Sequence, residues 1–454
     1  METKNKFSLP RFTYFFFGFG LLSIVFYAIA MLNTNFADFF NRYVSSILRG
    51  TMATITNVIP LSCTEILIIT SPISAFFLIR FCLKKFGSSW RDVGKFMIIV
   101  GSIALFLFGF YICLFGIGYH TSELDKKLDL EKKEVSATEL AKTAEWLIEQ
   151  VNAEIDNVDF VDKGSSIMPY YSREMNNLLV ESYYSLSEKY DFLPRLNSYI
   201  KPIMLSGPMT YTHISGVYTF FTGEANLNVN SPDYCMPYTA AHELAHQRGI
   251  AREDEANFIA FLVCVNSDDA YIRYCGYLNL CEYVLNALYG ADSKLWEETY
   301  KKLDNRAIYE MIAYNDFYEK YRDNVVGEIS GAINDAYLQA NGTQGTRSYG
   351  LVVDLAVNKG TGGVAVLILI SQYALHSFPC ELGVDTAETF GVAGHIAVAV
   401  VTDARPTGAH VSRILHPTVD EVVEVFPRRL DGNAGEICGI FCLHCFEICF
   451  YAAS

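Results

Sequence analysis

The sequence predicts an α-helical membrane anchor of three transmembrane helices, followed by a mostly α-helical, α+β domain outside the membrane. Three observations predict it. Residues 1–118 contain three apolar runs, each long enough to cross a bilayer core. After Tyr119 the chain turns charged, and its apolar residues recur at helical spacing. Residues 209–228 break that rhythm with Tyr211, Val217, Tyr218, Phe220, Phe221 and several Thr, a composition that favours strand.

The first apolar run covers residues 12–32, with Lys4, Lys6 and Arg11 before it. Its length, the lack of a clear small-residue cleavage site and the two runs that follow favour a span over a signal peptide. The second run covers residues 61–83, with Pro60 before it and Pro72 inside. Glu65, near its start, is expected at the interface. The third run covers residues 96–118. Basic residues set the orientation. The loop 84–95 carries Lys84, Lys85, Arg91 and Lys95, whereas the loop 33–60 has only Arg42 and Arg49, partly offset by Asp38. The positive-inside rule then puts the N-terminus and the loop 84–95 in the cytoplasm and everything after Tyr119 outside. The expectation is a multi-pass protein of the cell membrane, with the lipid bilayer as a partner. The three spans show no internal repeat, which speaks against a transporter.

The domain after the spans is acidic: residues 119–354 hold 20 Lys/Arg against 36 Asp/Glu. Such a surface excludes nucleic acid, whose phosphates need a basic face. The twelve cysteines are scattered without the spacing of a disulfide framework, so most read as small buried hydrophobes. Leu124, Leu128, Leu140, Ala144, Leu147, Ile148 and Val151 predict one helical stretch over 122–156, and Ser136 and Glu139 fit a capping box. A polar break near 156–166, a helix over 173–190 and a connection marked by Pro194, Pro202 and Pro208 follow. Gly216 and Gly223 interrupt the strand-like stretch. From 268 to 341 the pattern is helical and rich in Tyr, ending at Asn341-Gly342.

Residues 355–454 differ from the rest. Of 29 Tyr only Tyr373 and Tyr451 lie there, and Lys359 is its one lysine. Cys438, Cys442, Cys445 and Cys449 cluster with His444, but at a spacing poor for a zinc finger. This composition reads as a non-native tail, frameshifted or fused. The expected organisation is therefore a membrane domain at 1–118, an outer domain at 119–354 and an atypical tail at 355–454.

The chemistry is concentrated at His242-Glu243-Leu244-Ala245-His246, an H-E-x-x-H pattern. On a helix the two histidines leave the same face one turn apart and can share one zinc ion. Glu243 stands beside the first, where it can take a proton from water at the metal. With nine His and 28 Glu in 454 residues, chance supplies this pattern roughly once in a hundred such chains. Gly249 can end this helix in a left-handed cap. A second helix then begins in an acidic cluster, with Glu253, Ala256, Asn257 and Ala260 on one stripe. Glu253 is the expected third ligand, with Glu255 as the alternative, and Asn257 is expected to orient a ligand from behind. A tyrosine between 268 and 341 can donate to a developing oxyanion, but the sequence does not single one out.

This stretch resembles the zincin metallopeptidases of the gluzincin type, whose third ligand lies in a Glu-x-x-Ala-Asp or Glu-x-x-Ala-Asn signature, matched here by Glu253 to Asn257. The gap from His246 to Glu253 is shorter than in most of them. Residues 1 to about 354 further resemble an uncharacterised bacterial membrane family, domain of unknown function 3810. Its members similarly carry membrane helices, a Thr-Gly-Glu-Ala-Asn segment (Thr222 to Asn226 here), then HELAHQRG and a Glu-Ala-Asn helix. The resemblance implies a zincin-like domain and a Zn2+-dependent metallopeptidase acting on a peptide or protein substrate. It implies an edge strand, 217–228, that binds substrate backbone. Thr222, Glu224 and Asn226 are therefore candidate substrate contacts, and His213 is a candidate polariser of the transition-state oxygen. The alternative is a catalytically inactive zinc-binding membrane sensor or scaffold. Glu243 and a three-residue ligand set argue for the enzyme, because a structural zinc is usually closed by a fourth ligand.

Overall fold

The computed structural model describes residues 8–357, apart from 87–88, 131–134 and 162–163. The Cys438–Cys449 cluster and nearly all of the atypical tail lie outside the described residues.

Three helices are long and apolar enough to cross a membrane: α1 (Arg11–Leu32), α4 (Cys63–Phe86) and α5 (Trp90–Leu114). α1 and α5 pack side by side through small residues. Gly20 lies against Leu105, and a Cβ at Gly109 would stand 2.9 Å from Ser23 Oγ. Between α1 and α4 the sequence reading expected a loop. The chain is instead helical, as α2 (Thr34–Phe39), a π-helical turn (Phe40–Ser45) and α3 (Ser46–Asn57). Ala37, Phe40, Ser45, Arg49 and Ala53 are buried along it at near-helical spacing, so one stripe packs inward. Arg49 carries that stripe's charge, which hides the periodicity from an apolar count.

After α5, a short 3-10 turn leads to α6 (Leu124–Lys127) and α7 (Ala137–Glu154). The single stretch expected over 122–156 is thus broken, with Asp129 in a left-handed conformation just after α6 (φ 56°). The capping box at Ser136 and Glu139 is present. α8 (Ser172–Lys189) follows. The stretch expected as one strand over 209–228 is a hairpin. It starts as α9 (Ser206–Thr210), turns at His213 and forms β2 (Gly216–Thr219) and β3 (Glu224–Leu227), joined through Gly223 at φ 69°. With β1 (Ile200–Pro202) these make a three-stranded sheet of order β1-β3-β2, so β3 is central and β2 is an edge. β1 pairs parallel to β3, and β2 antiparallel.

α10 (Cys235–Gln247) packs on this sheet, and α11 (Glu253–Val265) packs on α10. α12 (Ala270–Ala291), α13 (Ser293–Tyr300), α14 (Asn305–Arg322), α15 (Val325–Ala340) and α16 (Val352–Val357) complete the helical part. One large apolar core joins α7, α8, α10, α11, α12 and α14. A second cluster combines Leu114 and Phe115, at the end of the third apolar helix, with Tyr218, Phe220, Ala251, Tyr337 and Tyr349. The membrane part and the outer part thus share packed side chains across the boundary expected at 118–119.

Candidate metal centre

The site is built at the meeting of α10 and α11. Gly249 adopts φ 96°, and Ile250 N–H returns to Ala245 O at 3.2 Å, which turns the chain sharply after the first helix. Ala256 and Ala260 are fully buried, so α11 lies close against its neighbours. That brings Glu253, the first residue of α11, to both histidines. His242 Nε2 and His246 Nε2 stand 3.0 Å apart, and Glu253 Oε2 lies 3.3 and 3.4 Å from them. Ligand atoms held 2.0–2.1 Å from a tetrahedral ion stand about 3.3 Å from one another. The three atoms have that spacing.

The outer nitrogens define the tautomers. His246 Nδ1 lies 2.6 Å from the Ile250 carbonyl, which only accepts, so Nδ1–H donates. His242 Nδ1 lies 2.7 Å from Asn257 Oδ1, and Asn257 Nδ2 donates to Tyr349 O at 3.2 Å, which orients the amide. In its neutral form each imidazole then turns an Nε2 lone pair toward the Glu253 carboxylate. Glu253 Oε2 is buried and makes no hydrogen bond among the described residues. Three electron-rich atoms converging out of water repel one another unless a cation or a proton joins them. His242, His246 and Glu253 therefore fit a metal ion.

The remaining expected site residues lie in different places. Glu243 is fully buried against β2, where a Cβ at Gly216 would overlap its carboxylate. Asn257 stands behind His242, as described. Glu255 turns away from the histidines: it pairs with Arg252 at 2.7 Å and accepts from Leu124 N–H. His213 Nε2–H donates to Tyr321 O at the end of α14. Thr222, Glu224 and Asn226 join the sheet to the start of α4. Glu224 accepts from Thr64 N–H at 2.8 Å and pairs with buried Lys201, which also donates to Thr56 O at 2.8 Å. Asn226 accepts from Ser62 Oγ at 2.7 Å, and the Thr222 and Thr64 hydroxyls meet at 2.8 Å. The Lys201 ammonium and the N–H groups of Cys63 and Thr64 outweigh burial and hold the Glu224 carboxyl below the usual carboxylate range.

Other supporting residues were not singled out from the sequence. Arg49 is fully buried and donates to Leu114 O and to Asn41 Oδ1, while Asn41 Nδ2 donates to Gly249 O at 3.0 Å. The segment between the first two apolar helices thus grips the turn that follows the histidines. Burial pulls the Arg49 guanidinium down to about 10, so it stays charged at neutral pH. The Phe115 ring meets His246 edge-on, 5.7 Å between centroids. A slot of about 30 Å³ opens beside α10, lined by Ser215, Thr239, Glu282, Tyr283 and Asn286 among others. Tyr283 is the tyrosine of α12 whose hydroxyl reaches Asn257, at 3.5 Å. Burial pushes the Glu282 carboxyl up to about 8, against the hydrogen bond from Tyr234.

No curated protein and no solved structure matches the chain. A family profile described as "Protein of unknown function (DUF3810)" matches residues 36–357, well over half of the sequence, and the chain belongs to that family.

Proposed function

We propose that the chain is a membrane-anchored zinc-dependent metallopeptidase with a zincin-like domain, hydrolysing peptide bonds on the extracytoplasmic side. One observation carries this reading: His242, His246 and Glu253 converge at the spacing of a tetrahedral ligand set, beside a carboxylate, Glu243, that is not part of it. These three side chains would hold zinc and leave one position open. Zinc bound there would supply Lewis acidity toward water and toward the scissile carbonyl. Glu243 would take the proton of the attacking water and return it to the leaving amine. Asn257 and the Ile250 carbonyl hold the two imidazoles with Nε2 facing inward. β2 is the edge strand at Glu243, but its four residues are buried, so an extended substrate would pair with it only once that edge is uncovered.

A second reading, an inactive zinc-binding sensor or scaffold, is favoured by closure of the site. Each of His242, Glu243, His246 and Glu253 is at most 3% exposed, and the adjoining slot is narrow. Glu243→Gln separates the two. It nearly keeps size and shape but cannot take a proton. The enzyme reading expects full zinc content and a loss of peptide turnover of about 10²–10⁴-fold. Zinc content and turnover of a peptide library are measured side by side on parent and variant. Turnover undiminished by the substitution would falsify the mechanism; zinc without turnover in either protein favours the scaffold.

A further inference from the structure

A second cavity, of about 590 Å³, lies where the chain leaves the first apolar helix and where it resumes after the third. Its wall includes Arg42, Lys126, Lys127 and Lys189, against the two carboxylates Asp38 and Asp191; Arg248 also borders it, but its buried guanidinium donates to Leu196 O and Leu244 O. Both carboxylates are engaged. Asp38 accepts from Ser122 N–H at 3.0 Å, and Asp191 pairs with Arg42 at 3.3 Å. Lys127 is drawn inward, its side chain 14% exposed, and its ammonium lies over the Phe192 ring at 5.6 Å. In a domain with nearly two acidic residues for each basic one, this concentration of cations is local and opposite in sign to its surroundings.

The helical segment from α2 to α3 offers lipid a second surface. Arg42 and Ser46 line the cavity, while Phe39, Ile47 and Leu48 are 57%, 68% and 40% exposed along the segment, with Tyr43 lining the cavity and also half exposed. The segment starts two residues after α1 ends at Leu32, which suits the level where acyl chains give way to headgroups. We propose that this cavity binds the headgroup of an anionic phospholipid, its phosphate among the side chains of Arg42, Lys126, Lys127 and Lys189 and its acyl chains along the exposed apolar face beside them. Arginine and lysine together suit this ligand, one as a planar donor fork and the other as a mobile point charge. A free phosphate would use the cations but leave the apolar face without a role.

The test uses the full chain in a neutral detergent. Thermal unfolding is followed with added phosphatidylglycerol, phosphatidylcholine or inorganic phosphate at equal concentration. Phosphatidylglycerol is expected to raise the melting midpoint of the parent, phosphatidylcholine to raise it less, and inorganic phosphate to leave it unchanged. The charge-reversed pair Lys126→Glu and Lys189→Glu should weaken the apparent affinity for phosphatidylglycerol about tenfold or more, each basic group near an anionic surface being worth about 1 kcal/mol. The neutral pair Lys126→Gln and Lys189→Gln should show a smaller loss in the same direction, and it decides the matter if the reversed pair does not fold. An equal response to both lipids overturns the proposal, as does parental affinity in the neutral pair. A shift by inorganic phosphate matching that by phosphatidylglycerol overturns the lipid and assigns the cavity to a soluble anion.

Discussion

At the scale of single residues, two carboxylates two positions apart have opposite surroundings. Glu253 faces two imidazole nitrogens, whereas Glu255 is tied to Arg252 and to Leu124 N–H. Glu253→Ala should therefore lose bound zinc, while Glu255→Ala should keep most of it and instead lower the melting midpoint. Metal content by elemental analysis on the two purified variants checks this, and the reverse order would break the assignment of ligands. The histidine pair and the Glu253 stripe were legible because helical spacing is written directly in residue order. The groups that set the tautomers were only half legible. Asn257 lies on the stripe, but the Ile250 carbonyl is a backbone atom that any residue type would supply. Phe115 comes from 131 positions before His246 and carries no local signal.

At the scale of elements, the Thr222 to Asn226 segment is a joint. Glu224 accepts the first N–H groups of α4, and Lys201 donates to carbonyls at Thr56 and Leu61, just before it. The pair thus satisfies the end of one helix and the start of the next, groups that helices leave open. Lys201 and Glu224 side chains are each 1% exposed. Removing one partner leaves a buried charge, which costs roughly 3–5 kcal/mol. Glu224→Leu and Lys201→Met should each destabilise by that order, and the double variant by less than their sum. Melting midpoints for the four proteins close the cycle; additive losses would show that the pair is not coupled. The sequence pointed to this segment through a resemblance that implies substrate contacts. Its partners in α3 and α4 are hidden because 33–60 has the composition of a loop between spans. Polar Arg49 and Ser45 on the buried stripe obscure a helix that tertiary hydrogen bonds make favourable.

At the scale of the whole molecule, most of the exposed large apolar side chains belong to the three long apolar helices or to the segment between the first two. Apart from the three long helices they include Phe39, Ile47 and Ile55 between α1 and α4, Met204 and Leu205, and Val325, Val326, Ile329 and Ile333 on α15. Met204 and Leu205 give their N–H groups to Glu65 in the first turn of α4, and α15 reaches Tyr111, near the end of α5, through Asn341 just beyond its last turn. Met204 and Leu205 therefore adjoin the start of an apolar helix, a place suited to contact with lipid. The helices themselves were legible from long apolar runs; the adjoining faces were not, since their apolar residues alternate with buried ones and resemble ordinary core. Phe115, the residue after α5, meets His246, so the candidate site lies near the end of the third apolar helix. The basic loop 84–95 argues for the outside. Trp90 and Tyr171 are each 90% exposed and lie on opposite sides under this reading, so accessibility alone does not distinguish them. Tyr171→Cys should react with a membrane-impermeant maleimide on intact cells above the background of the parent, whereas Trp90→Cys should react only after lysis. The reverse pattern would turn the whole molecule over in the membrane. It would end the case for an extracytoplasmic substrate while leaving the His242, His246 and Glu253 geometry as it stands, since nothing in that geometry depends on the side it faces.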